Sequence, residues 1–77
     1  MEPDTSATML AALRTQLAVN PRQDAVALVY AQAINLVRHE DEEFWTAANA
    51  AITAVWPKGL KRVKERAWKL FEGKIKP

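Results

Sequence analysis

One histidine (His39), one serine (Ser6) and no cysteine set the limits of the chemistry this chain can do. Nucleophilic catalysis needs a nucleophile, a base and an orienting group in contact. Ser6, the only serine, stands in the expected cap of a frayed N-terminus, and there is no cysteine, so no triad is expected. His39 with Glu40 or Glu43 would be a poor ligand set, one imidazole among flexible surface carboxylates, and no metal site is expected. Its simpler role is at a helix end, where a partial positive charge interacts well with exposed carbonyls. Glu42 and Glu43 could serve as acid and base, but sequence neighbours on a helix point about 100° apart, and at a helix start carboxylates cap free N–H groups. A phosphate cradle needs glycines in series, whereas the two here, Gly59 and Gly73, stand far apart. The residues therefore predict no enzyme, no cofactor and no small-molecule substrate.

What remains is charge and aromatic surface. Up to Trp56 the chain has three basic residues against seven acidic ones, a net charge of −4, and from Pro57 onward eight against two, a net charge of +6. On a helix over this second segment, Lys58, Arg62, Arg66 and Lys69 fall in one sector with Lys61 flanking it. That sector lies opposite an apolar stripe of Leu60, Val63, Ala67, Leu70 and Phe71. Trp68 falls at the border, beside Lys61, Lys64 and Glu72. Tryptophan at such a border either covers the edge of the core or anchors an interface, and a basic sector is either a solvated face or a docking face.

The candidate partner-binding set is therefore Lys58, Lys61, Arg62, Arg66, Trp68 and Lys69. The function expected is that of an adaptor or inhibitor docking an acidic protein surface, a common role for compact helical proteins of this size, those of phages and mobile elements included. The alternative is a nucleic-acid-binding protein that lays the same basic helix on phosphates. A helix-turn-helix register fails, since Pro57 interrupts a turn placed at Gly59 and Glu65 lands on a buried position. Docking of Leu60 to Lys76 on a membrane surface is the weakest reading, because the core needs that apolar stripe.

The elements that must position these residues are helices. Alanine is abundant, and no stretch alternates apolar and polar residues over strand length. Asp4, Thr5 and Ser6 offer caps for a first helix reaching about Val19, with Leu10, Leu13 and Leu17 in one stripe and Met9 beside it. Pro21 breaks the chain, so Asn20 is expected to cap a second helix over about Pro21 to Arg38. More than half of that helix's circumference is apolar, which predicts a central place or a dimer interface. Glu40 to Glu43 opens a third helix, about Asp41 to Val55, burying Phe44, Ala48, Ile52 and Val55 with Trp45 beside them. A fourth spans about Lys58 to Glu72, with Gly73 as its stop and residues 74–77 as a frayed basic tail. The segments Ala18-Val19-Asn20-Pro21-Arg22 and Ala54-Val55-Trp56-Pro57-Lys58 repeat one pattern at an offset of 36 residues, each as a helix-to-helix turn.

The fold class expected is all-α, a small bundle of about four short helices in two helical hairpins, forming a single domain over residues 1–73. At 77 residues its core is marginal. With disulfides and a zinc site excluded, two routes remain: helices packed unusually well around Trp45, Trp56, Trp68, Phe44 and Phe71, or, the one favoured here, a symmetric homodimer sharing one core. Glu2 and Asp4 leave no signal-peptide pattern, and the longest apolar run, Ala25 to Ala31, is seven residues, far short of the roughly 20 of a membrane span. A cytoplasmic protein is expected.

Overall fold

Asp4 sets the first helix going: its carboxylate accepts the Ala7 N–H at 3.3 Å, and α1 runs over Thr5–Val19. The computed structural model describes residues 4–75, with side chains to residue 73. Three more helices follow, α2 over Gln23–Leu36, α3 over Glu42–Val55 and α4 over Leu60–Ile75. The chain is an all-α bundle of four helices, without a strand among the described residues.

Both proline junctions are built alike. In the first, Asn20 closes α1 by giving its N–H to Gln16 O at 3.0 Å. In the second, Trp56 closes α3 with an N–H bond to Ile52 O at 2.9 Å. Asn20 thus ends α1 instead of capping α2, a correction to the sequence reading. Its carbonyl accepts from Gln16 Nε2 and the Arg22 N–H, and α2 starts after Arg22 with no side-chain cap. The pair Pro21-Arg22 forms a connector that the helix does not absorb. Similarly, α4 begins at Leu60, so Lys58 lies in the preceding turn.

The two glycines have opposite roles. Gly59 is buried in that turn, and a Cβ there would stand 2.6 Å from Trp56 Cβ and 3.1 Å from Gln23 Nε2. Gly73 does not stop α4, which continues to Ile75 without a positive φ, and a Cβ on it would meet nothing within 4 Å. Of the tail expected at 74–77, residues 76 and 77 lie outside the described residues. Gly59→Ala is therefore expected to cost about 1 to 3 kcal/mol through overpacking, and Gly73→Ala to add up to about 1 kcal/mol by helix propensity. Urea midpoints of the two variants moving in the same direction would contradict this assignment.

α2 packs against both α1 and α4, α1 also packs on α3, and α3 meets α4 only slightly. Gln23 lies by Gly59 while Leu36 and Phe71 share a groove, so α2 and α4 run the same way. The core between the helices holds Leu13, Val26, Ala27, Tyr30, Ile34, Phe44, Ala48, Ile52, Val63 and Ala67. Met9 is buried and Leu10 only half-buried, the reverse of the expected order, and Val55 is 41% exposed, not part of the core. Phe44 and Trp45 stack edge to face at 4.7 Å, and Trp45 lies 5.4 Å from Tyr30. Such pairs add about 0.5 to 1.5 kcal/mol beyond area burial.

Candidate interaction surface

α4 turns Val63 and Ala67, both fully buried, toward the core, so the residues a half-turn away must face water. Lys61, Arg62, Arg66, Trp68 and Lys69 are all exposed, as is Lys58 in the turn. They do not form one patch. Lys61, Lys64, Trp68 and Lys69 line a shallow groove along α4 with Leu60 and Glu65. Lys58 and Arg62 lie at the other end, around Val55, Trp56 and Pro57. Arg66 leans toward α2, its Nε 3.7 Å from Asp24 Oδ1, in a solvent-exposed pair of little energetic weight. No other ion pair is formed among the described residues.

Trp68 is 40% exposed, and its ring is held edge to face by Phe71 at 5.4 Å and by His39 at 6.3 Å. It covers the core edge and presents surface at once. His39 lies beyond the end of α2, in the turn before α3, and among the described residues it reaches no helix carbonyl. Its ring leans on Trp68.

The slight contact between α3 and α4 leaves a cleft that the sequence did not reveal. Tyr30 and Ile34 of α2 line it together with Trp45 and Asn49 of α3, Lys64 and Trp68 of α4, and His39. The spacing of Trp45 to Asn49, and of Lys64 to Trp68, places each pair on one helix face, but only packing decides that the faces meet. The walls are fixed by hydrogen bonds: Tyr30 Oη donates to Asn49 Oδ1 at 2.8 Å, and Trp45 Nε1 to Arg38 O at 2.9 Å. Burial pushes the Tyr30 hydroxyl up from its ordinary 10.0 to about 12. Because the folded chain holds this proton more tightly than the unfolded one, stability falls as pH rises from about 10 to about 12. Tyr30→Phe should flatten that part of the alkaline unfolding curve; the same slope in both proteins would contradict the burial of the hydroxyl.

Of the residues weighed for catalysis, Ser6 is engaged in a structural hydrogen bond. Ser6, expected in a frayed cap, lies inside α1 and donates to Asp41 Oδ2. Asp41 caps α3 by accepting the Phe44 N–H at 3.0 Å. These two bonds, the Ser6 one foremost, hold the Asp41 carboxyl below its usual range, and the Arg38 charge adds to them. Glu42 and Glu43 occupy the exposed first turn of α3. Comparison with known proteins finds no family model, no curated protein and no solved structure that matches the chain.

Proposed function

We propose that this chain is a non-catalytic cytoplasmic binding protein that docks an acidic protein surface against α4, with Trp68 as the anchor. The observation that carries this reading is the composition of the Trp68 groove. Leu60 and Trp68, with Lys64 between them on one helix ridge, line it together with Lys61, Lys69 and Glu65. A half-covered tryptophan beside Lys61, Lys64 and Lys69 suits an acidic protein surface with an apolar spot. A phosphate track would favour an unbroken cationic row and an open ring face, whereas Glu65 and Glu72 interrupt α4 and Phe71 and His39 hold the Trp68 ring. The buried Val63 and Ala67 also weigh against a membrane-surface role, since lipid would have to take the stripe that closes the core.

The nucleic-acid alternative draws its support from Lys58, Arg62 and Lys69, exposed and outside any ion pair among the described residues. Two measurements separate the readings. Immobilised wild-type chain should retain a protein from nuclease-treated lysate that Trp68→Ala or Lys61→Glu/Lys64→Glu does not retain, with helical content unchanged in both variants. Duplex DNA should bind weakly and without regard to Trp68. Loss of all captured material after nuclease digestion, joined to DNA binding that weakens steeply with salt, would replace the protein partner with a nucleic acid.

A further inference from the structure

The cleft between α3 and α4 joins an apolar wall to polar groups without partners. Tyr30, Ile34, Trp45 and Trp68 make the wall, around a space of about 200 Å³. A cavity of about 150 Å³ takes up benzene, and sites for drug-sized ligands begin at roughly 300 Å³, so the cleft fits a single ring with a small substituent. No acidic side chain lines it among the described residues. Lys64 does, and unlike Lys61, Arg62, Arg66 and Lys69 it is half-buried. It enters no ion pair among the described residues. Its helix neighbours three and four residues away are Leu60, Lys61, Ala67 and Trp68, so α4 offers it no carboxylate. A partly desolvated ammonium without an internal anion favours an anion that comes from outside.

Asn49 adds a second donor with a fixed direction. Its Oδ1 accepts the Tyr30 hydroxyl at 2.8 Å, which turns the Nδ2 side of the carboxamide away from Tyr30. Nδ2 has no hydrogen-bond partner among the described residues, and no side-chain nitrogen there is both buried and unpaired, so these two N–H groups reach solvent. A carboxylate can accept from Asn49 Nδ2 and from the Lys64 ammonium together. The aromatic wall suits a flat apolar body behind that carboxylate. A cationic ligand would meet Lys64, and an anion without an apolar body would leave the wall uncovered.

We propose that this cleft binds a small aromatic carboxylate, as a ligand and not a substrate, with its ring against Trp45 and Trp68 and its oxygens on Lys64 and Asn49. The cleft adjoins the docking groove at Lys64 and Trp68, whereas Tyr30, Ile34, Trp45 and Asn49 line the cleft and not that groove. The inference does not rest on the docking reading, because the isolated chain suffices to test it.

Benzoate is the probe, titrated into the isotope-labelled full chain and followed by NMR. It should shift the Asn49 side-chain N–H signals and the Trp68 indole N–H signal saturably, with a dissociation constant on the order of a millimolar for so few atoms. The indole of Trp56, by Pro57 and Lys58, should not move. Acetate has the charge without the ring and benzyl alcohol the ring without the charge, and each should bind at least about tenfold more weakly. Lys64→Met keeps the stem and removes the charge. Asn49→Asp keeps an acceptor for the Tyr30 hydroxyl and sets a negative charge where the ligand's belongs. Both variants should keep their helical content and weaken benzoate about tenfold or more, while Lys58→Met, outside the cleft, should not. No saturable shift at Asn49, equal affinity for acetate or benzyl alcohol, or equal losses in Lys64→Met and Lys58→Met would each overturn the proposal. The docking reading is settled separately, by what the chain captures from lysate.

Discussion

Phe44→Ala is expected to remove a large share of the protein's stability. Phe44 is buried where α3 faces α1, with its ring edge to face on Trp45 and its N–H bound to the Asp41 cap. Truncating a buried phenylalanine removes the transfer energy of the ring and leaves a cavity, about 3 to 5 kcal/mol together. A domain of 77 residues has roughly 4 to 12 kcal/mol in all. Collapse of the neighbours onto the gap is restricted, because Trp45 is held by its bond to Arg38 O and Ser6 ties α1 to the start of α3. Urea unfolding followed by circular dichroism should show the midpoint falling by the equivalent of about 3 to 5 kcal/mol. A loss below about 1 kcal/mol would mean that the ring does not bridge α1 and α3.

Ala67→Glu is expected to have an effect of similar size by another route. Ala67 is fully buried beside Val63, against the helices that α4 closes over. A glutamate side chain there finds no space and no counter-ion beside it, since Lys61, Arg62, Arg66 and Lys69 of α4 are exposed. Burying a carboxylate without a partner costs several kcal/mol, so either α4 detaches or the whole domain unfolds. Arg62→Glu, one turn away on the exposed face, should change stability by no more than about 0.5 kcal/mol. The two substitutions place the same residue on opposite sides of one helix. Equal effects would mean that α4 is rotated from the orientation described.

The four helices were legible because proline, capping and periodicity act locally. Pro21, Pro57 and the Asp41 cap operate within a few residues of themselves, and the Val63–Ala67 stripe follows from helical geometry alone. Gly73 misled because glycine marks helix ends only where a left-handed residue closes them, and here α4 keeps right-handed geometry through it. Asn20 misled because one residue can close the helix before it or open the helix after it. Its N–H found Gln16 O and committed it to α1.

The site was half legible. That Trp68 and the lysines share a face follows from spacing; that Arg66 leans to Asp24 and that Lys58 sits with Trp56 depends on which helix each side of α4 meets. The cleft formed with Trp45, Asn49 and His39 is tertiary in origin. Nothing in the chain's periodicity says that α3 and α4 stand apart while Tyr30 bridges from α2.

The proposed function depends on Trp68 reaching water in a positive field. Replacing Trp45 and Trp56 with phenylalanine leaves Trp68 as the sole tryptophan, and its fluorescence can then be quenched by iodide and by caesium in turn. Lys61, Lys64 and Lys69 along the groove, outnumbering Glu65, should draw the anion in and keep the cation out, so iodide should quench the more strongly, and the difference should shrink as salt screens the charges. Equal quenching by both ions, or no quenching by either, would contradict the exposed cationic setting on which the account rests.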